Sequence, residues 1–249
     1  MKVFGCIKGF YSPKGDRMSV NRWVKLVAVL GVGAMAVGIG GARLPQASAA
    51  STSPATGSSP PSFQYESKEV TAADLPYTYR SGCPVPPEDL RLLVMSHRTF
   101  DGQSAQGRMV VHEDWASPVV SVFHKLYDQD FPIAHMQLVD DYQGSDDLSM
   151  EANNTSAFNC RSVTGRPGVW SQHSYGGAID INPVQNPYIN SSGTVLPPAG
   201  ADYADRSKDA PGMIHAGDST VQAFAAIGWY WGGAWTNPKD YQHFSYNNK

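Results

Sequence analysis

Apolar and polar positions follow a regular pattern over residues 109–139. The run Met109-Val110-Val111 is typical of a short strand, and residues 133–139 predict a second one. Between them, Ser117 and Pro118 fit the N-cap and the first position of a helix. The predicted helix presents one broad apolar face, formed by Val119, Val120, Val122, Phe123, Leu126 and Tyr127. This stretch therefore predicts a strand, a helix packed on the core and another strand.

The C-terminal half predicts three further elements. Residues 178–182 alternate with a period of two and predict a strand that Pro183 ends. Residues 218–227 predict a helix that starts with an aspartate cap and ends at Gly228. Residues 242–246 predict a last short strand.

The order of these elements lacks the regular alternation of strand and helix that builds a parallel sheet. It predicts an α+β fold, with a small, mostly antiparallel central sheet, flanking helices and long loops. The two long irregular stretches are residues 140–158 and 186–217. Because loops this long in a compact domain usually serve function, we expect both to form walls of a site.

The first 49 residues have the pattern of an export signal. A basic start precedes an apolar, small-residue run over 26–42 and the small-x-small cleavage site Ala47-Ser48-Ala49. The run is short and glycine-rich for a spanning helix, which favours removal over the alternative of a retained membrane anchor. Met18 is a second candidate for the start of the chain.

Residues 50–66 are rich in serine and proline and predict a flexible linker. We therefore expect a signal peptide over 1–49, this linker, and one globular domain over 67–249. The predicted location is extracytoplasmic, with no membrane attachment after cleavage of the signal.

Composition narrows the class of protein. The chain has 249 residues, of which 16% are charged, and a formal net charge of −3. Without a block of lysine and arginine it carries no electrostatic footprint for nucleic acid, so we expect no nucleic-acid partner. No sequence feature determines the oligomeric state, and a monomer is expected.

After removal of the signal, Cys83 and Cys160 remain and predict a disulfide; two separate buried thiols are the alternative.

One histidine and one aspartate lie on either side of a glycine pair. His173 precedes Gly176-Gly177, and Asp180 follows on the strand predicted over 178–182. Because glycine permits a tight turn, the imidazole and the carboxylate can converge. Both groups are zinc ligands. The alternative is a turn histidine beside a solvated strand aspartate.

A second segment places an acid, Asp240, three residues before His243. A catalytic zinc centre uses three protein ligands, and a carboxylate that is not on the metal accepts the proton of the attacking water. Residues three apart face opposite sides of a strand, so we expect Asp240 in the turn after Pro238 and His243 on the strand. The alternative is a surface aspartate beside a packed histidine.

Together the two segments resemble the zinc-dependent D-alanyl-D-alanine carboxypeptidase family, in the branch shared with L-alanyl-D-glutamate endopeptidases of phage and bacterial lysins. The family's Ser-x-His-x-x-Gly-x-Ala-x-Asp string stands at residues 171–180, and its acid-x-x-His string at residues 240–243. The similarity extends from about Cys83 to Phe244. It implies Zn²⁺ as cofactor, peptidoglycan stem peptides as substrate and Asp240 as catalytic base. The implied zinc ligands are His173, Asp180 and His243.

The resemblance also implies an arginine, upstream of the first histidine, that holds substrate and polarises its carbonyl. Arg161 is the best counterpart, although it lies closer to His173 than the family's usual spacing. Arg166 is the alternative, and an ordinary loop salt bridge is the other interpretation of either residue. A bidentate contact between arginine and carboxylate suits a peptide that ends in D-alanine. Aspartate at position 240 is usual in the endopeptidase-like branch, so both cleavage of terminal D-alanine and internal cleavage beside D-glutamate stay open.

These features predict a secreted zinc metallopeptidase that acts in the cell wall. The hypothesis from another class is a non-catalytic, zinc-stabilised wall-binding module, which would have no need of Asp240.

A nearby aromatic cluster either stacks on substrate or, as we favour, packs in the core. It consists of Trp229, Tyr230, Trp231 and Trp235.

Overall fold

The computed structural model describes residues 61–249, and every structural statement below concerns this part of the chain. The signal peptide predicted over 1–49 and residues 50–60 of the predicted linker lie outside it. Part of the predicted linker belongs to the folded domain, because Phe63 packs against the core and the first strand starts at Tyr65 rather than after residue 66. Within residues 61–249, no helix is long and apolar enough to cross a membrane.

The described residues form short strands and three α-helices. The strands are β1 (Tyr65–Glu69), β2 (Leu90–Arg98), β3 (Ser104–His112), β4 (His135–Met136), β5 (Asn154–Thr155), β6 (Ser162–Val163), β7 (Arg166–Trp170), β8 (Ala178–Asp180), β9 (Tyr188–Ile189), β10 (Val195–Leu196), β11 (Tyr230–Trp231), β12 (Lys239–Asp240) and β13 (His243–Ser245). The helices are α1 (Glu113–Asp128), α2 (Asp146–Glu151) and α3 (Ser219–Ala225).

The strands pair into several small sheets, most of them antiparallel. Three sheets have three strands each, in the orders β1-β2-β3, β10-β9-β12 and β11-β13-β8. Two pairs complete the set, β6 with β7 and the parallel pair of β4 with β5. The predicted α+β class with a mostly antiparallel sheet is confirmed, although the strands divide among small sheets instead of forming one.

Helix α1 packs on β2 and β3, and its buried face is the one that the sequence predicted. Val119, Val122, Phe123 and Leu126 are almost fully buried. The predicted start at Ser117 and Pro118 is wrong, because the helix begins at Glu113 and Pro118 lies inside it. His112 caps the helix by accepting a hydrogen bond from the Asp114 amide at 3.2 Å.

The strand predicted over residues 133–139 is also partly wrong. Only His135 and Met136 pair as a strand, with β5, and the last predicted residue, Val139, instead begins a 3₁₀-helix over Val139–Tyr142. The helix predicted over 218–227 is confirmed as α3, and Asp218 caps it by accepting from the Val221 amide at 2.9 Å.

The predicted strands at 178–182 and 242–246 are confirmed in shorter form as β8 and β13, which pair side by side. Ile179 and Phe244 are direct partners and both point into the core, where Phe244 stacks on Phe224 at 4.0 Å between ring centroids. Because side chains alternate along a strand, the neighbours of these two residues face the opposite side of the sheet.

A disulfide joins Cys83 to Cys160, as the sequence predicted, and closes a loop with a sequence separation of 77. It lies in a smaller core cluster that also contains Leu75, Val85 and Phe158. The bridge fixes the segment before β2 to the chain directly preceding Arg161.

Candidate metal centre

Asp180 and His243 face each other across the β8–β13 pair. They are direct partners in the antiparallel register, so both side chains project from the sheet face opposite Ile179 and Phe244. His243 Nδ1 lies 3.0 Å from Asp180 Oδ1. Both residues are buried, with relative exposures of 5%. The alternative of a solvated strand aspartate is therefore wrong.

His173 reaches the same point from a 3₁₀-helix over Gln172–Tyr175. Ser171 caps this helix by accepting from the His173 amide at 3.3 Å. His173 Nε2 lies 3.1 Å from Asp180 Oδ2 and 3.3 Å from His243 Nδ1. The ligand atoms of the three residues lie within 4.8 Å of one another.

The glycine pair makes this convergence possible. Gly176 ends the 3₁₀-helix with a φ of +63°, and a Cβ there would overlap the main-chain nitrogen of His112. A Cβ at Gly177 would lie 2.6 Å from the ring of Tyr246. Only residues without a side chain therefore let the turn pass this close to β3 and to the segment after β13.

In each imidazole, the nitrogen that does not face Asp180, here called the outer nitrogen, forms a hydrogen bond with a main-chain oxygen. His173 Nδ1 lies 2.6 Å from the Ala157 carbonyl, and His243 Nε2 lies 2.9 Å from the Lys249 main-chain oxygen. Because these oxygens only accept, each outer nitrogen carries a proton, and the inner nitrogen is the one that faces Asp180. Such outer partners orient the histidine ligands of metal centres.

The three residues fit a divalent metal of the zinc type. Two imidazole nitrogens and one carboxylate oxygen form a buried set with zinc's preferred donors. In residues 61–249 the group has three members and no fourth protein ligand, and all three line one cavity. This is the pattern of a catalytic centre rather than of a closed structural one.

Asp180 and His243 shift each other's pKa values. Burial disfavours the charged form of Asp180, yet the charge and hydrogen bonds of His173 and His243 outweigh it and hold the pKa of Asp180 far below its usual value. Burial likewise opposes charge on His243, but the hydrogen bond and charge of Asp180 raise its pKa. Asp180 is therefore ionised and ready to bind a cation.

Asp240 lines the same cavity from β12. The prediction that it lies in a turn is wrong: it belongs to the β10-β9-β12 sheet, a different sheet from that of His243. Its Oδ1 is inaccessible and has no hydrogen-bond partner in the described part of the chain. Burial raises the pKa of Asp240 to about 7, while the charge of His243 opposes this rise and that of Asp180 adds to it. A carboxyl group with this pKa can both accept and release a proton near neutrality.

The cavity has a volume of about 730 Å³ and three walls. As predicted, both long loops contribute: Asp146 and Met150 come from the first, Tyr188 and Leu196 from the second. The first loop is more regular than expected, because it contains α2. The third wall is the β6–β7 hairpin, which the sequence did not predict.

Both candidate arginines line the cavity. Arg161 Nη2 forms a salt bridge of 2.9 Å with Asp146 Oδ2, and both side chains are mostly buried. Its main chain is fixed by Ser174, whose hydroxyl accepts from the Arg161 amide at 2.9 Å and donates to the Arg161 carbonyl at 2.7 Å. Arg166 lies on the hairpin strand β7 and is exposed. Arg161 therefore forms a salt bridge, as one interpretation expected, and also lines the cavity, as a substrate-binding arginine would.

Sequence reasoning missed Asp146 and Tyr188 as cavity residues. The pattern Ser145-Asp146-Asp147 is a helix start that could have revealed α2, since Ser145 accepts from the Leu148 amide at 3.2 Å. No local signal marks Tyr188. The aromatic cluster divides, because Trp229 and Trp231 are buried in the core whereas Trp235 lines the cavity, with its ring 5.5 Å from that of His243.

Comparison with known proteins agrees with the resemblance that the motifs indicate. Residues 164–246 match the family model described as D-alanyl-D-alanine carboxypeptidase. No curated protein and no solved structure matches the chain. The matched segment contains His173, Asp180, Asp240 and His243, so the family resemblance is confirmed in the region that forms the metal centre.

Proposed function

We propose that the chain is a secreted zinc metallopeptidase that hydrolyses peptide bonds in peptidoglycan stem peptides. The observation that carries the proposal is the convergence of three buried ligand residues, whose ligand atoms lie within 4.8 Å of one another, beside a partly buried carboxyl group in one cavity. The Oδ1 atom of that carboxyl group, on Asp240, is inaccessible and has no hydrogen-bond partner among residues 61–249. The family match supports a peptidase. Zinc dependence, the substrate and the location in the cell wall are parts of the proposal.

His173, Asp180 and His243 would hold the zinc ion. A bound zinc ion would supply Lewis acidity, which would polarise a peptide carbonyl and lower the pKa of water so that it can act as a nucleophile near neutral pH. The chain's own contribution is to hold the inner nitrogen of each histidine, Nε2 of His173 and Nδ1 of His243, toward Asp180 and to keep this aspartate ionised. The outer hydrogen bonds and the two imidazole contacts of Asp180 do this.

Asp240 would act as general base and then as general acid. As the oxygen of water bonds to the carbonyl carbon, Asp240 takes the water's proton. It then gives that proton to the amine nitrogen as the C–N bond breaks. Its pKa of about 7, which burial raises, matches a group that must accept and release a proton in one cycle.

Arg161 would bind a carboxylate of the peptide. The salt bridge to Asp146 holds its guanidinium against the cavity wall, and its Nε is buried without a hydrogen-bond partner among residues 61–249. A charge-assisted contact with substrate would supply that partner. The secreted location rests on the predicted signal peptide, and the Cys83–Cys160 disulfide supports it because such bonds persist in oxidising compartments.

The test uses purified protein, zinc and the pentapeptide L-alanyl-γ-D-glutamyl-L-lysyl-D-alanyl-D-alanine. Mass spectrometry of the products separates loss of the terminal D-alanine from internal cleavage after L-alanine. We expect one of these cleavages, and we expect a chelator to abolish it and zinc to restore it. Stoichiometric zinc binding without any cleavage of this peptide or of a muropeptide mixture would instead establish the non-catalytic binding module.

The variant Asp240→Ala separates catalysis from metal binding. We expect it to lower kcat at least about 100-fold, because general acid–base catalysis typically contributes 10²–10⁴-fold. Zinc content, measured by atomic absorption, should equal that of the wild type. Loss of zinc from this variant would show that Asp240 is a ligand rather than the base.

A further inference from the structure

A row of side chains crosses the β10-β9-β12 sheet and faces the cavity. Tyr188 on β9 is the direct antiparallel partner of Asp240 on one side and of Leu196 on the other. Directly paired residues of antiparallel strands project from the same face of the sheet. All three residues line the cavity, so this face of the sheet is one of its surfaces. Tyr188 is therefore the cross-strand neighbour of the proposed base.

The phenol of Tyr188 is half-buried and lines the cavity. Burial raises the pKa of Tyr188, and the charge of Asp240 adds to this rise while that of Arg166 opposes it. The hydroxyl is therefore protonated near neutral pH, and it can donate a hydrogen bond to a group in the cavity.

We infer that Tyr188 is a further catalytic residue of the proposed peptidase, donating a hydrogen bond to the carbonyl oxygen of the bond that is cut. When water attacks, the C–O bond forms and the carbonyl electron pair moves onto that oxygen. The water's proton goes to Asp240, and Tyr188 keeps its own proton throughout. A donor already directed at an oxygen that gains charge stabilises the transition state more than the bound peptide.

The inference rests on the proposed function and adds a second donor to the carbonyl-polarising arginine that the family resemblance implies. Arg161 forms a salt bridge with Asp146 on α2, and it lies in the segment before the β6–β7 hairpin, outside the sheet that contains Asp240. Tyr188 shares a sheet with Asp240, so the donor and the base keep a fixed relation to each other. A ring that served only to pack the sheet would not need its hydroxyl.

The variant Tyr188→Phe tests this role because it removes one oxygen and leaves the ring. We expect kcat on the defined pentapeptide to fall about 10- to 100-fold while KM stays within about twofold, as for loss of a transition-state donor. Affinity for a phosphinate analogue of the cleaved bond, measured by calorimetry, should fall by a similar factor. The matched control is Tyr142→Phe, because the Tyr142 hydroxyl bonds to Gln137 Oε1 at 2.9 Å and lies outside the cavity lining.

Each result bears on one claim. An unchanged kcat, or a raised KM with an unchanged kcat, in Tyr188→Phe overturns the role of Tyr188 and leaves the proposed function intact. Failure of the zinc-loaded wild type to cleave any stem peptide overturns the proposed function, and the inference with it. Equal losses in Tyr188→Phe and Tyr142→Phe would show a general effect on the fold and would also overturn the inference.

Discussion

At the scale of single residues, two aspartates in one cavity have opposite properties. Asp180 is buried between two imidazoles, whose charges and hydrogen bonds keep its pKa low. Asp240 is partly buried, and its inaccessible Oδ1 has no hydrogen-bond partner among residues 61–249, so burial raises its pKa to about 7. The sequence could place both acids near the metal centre, because their spacing to the histidines is a local pattern. It could not predict this contrast, which arises from the bonding of each carboxylate in three dimensions.

His97 on β2 offers a residue-scale prediction about stability. It is only 5% exposed, and its Nδ1 has no hydrogen-bond partner within residues 61–249. Burial, followed by the nearby charge of His135, lowers its pKa from 6.5 to about 4. Between these two pH values the His97 imidazole is protonated in the unfolded chain and neutral in the folded chain. The contribution of His97 to stability is therefore complete above pH 6.5 and is lost as the pH drops to about 4, by at most about 3 kcal/mol.

Urea denaturation across this pH range measures the effect. His97→Gln should flatten the dependence of the unfolding free energy on pH, whereas His135→Gln should change it only slightly, because burial is the larger cause. A slope that stays the same in His97→Gln would mean that another group is responsible for the acid sensitivity.

At the scale of elements, the sequence predicted best where a pattern was local and repetitive. The strands β8 and β13 and the apolar face of α1 follow from period-two and helical spacing. The start of α1 was misplaced because Ser117 and Pro118 imitate a helix start, while the actual cap is His112, an unusual residue for this position. The strand of Asp240 was missed because its partner, β9, lies about 50 residues earlier in the chain and no local signal connects them.

The turn between His173 and β8 gives a prediction at this scale. Gly176→Ala should lower the unfolding free energy by about 2–5 kcal/mol, since it combines a left-handed φ with overlap against the His112 main chain. Gly193→Ala is the matched control, because Gly193 also has a positive φ but no atom lies within 4 Å of the position that an added methyl group would take. It should cost only about 1–2 kcal/mol. Similar losses in both variants, measured by chemical denaturation, would mean that the close approach at Gly176 has no energetic role.

At the scale of the whole molecule, the cavity draws on more of the chain than the candidate metal centre does. The family match over residues 164–246 includes all three candidate ligands and Asp240. Asp146, Met150, Arg161 and Val163 also line the cavity but lie outside that segment. The motifs could therefore predict the candidate ligands, whereas the shape of the cavity also depends on loops whose packing only the structure shows. The Cys83–Cys160 disulfide lies in this second region, next to Arg161.

Removing the disulfide should destabilise the whole domain. The bridge closes a loop with a sequence separation of 77, so in the loop-entropy model it stabilises the fold by about 4 kcal/mol. The double variant Cys83→Ser/Cys160→Ser should lose about this amount in urea denaturation without reductant. Wild-type protein treated with dithiothreitol should approach the same midpoint, while the variant should not respond to the reductant. If the oxidised wild type, the reduced wild type and the variant unfold together, the smaller core of Leu75, Val85 and Phe158 holds this region without the bond.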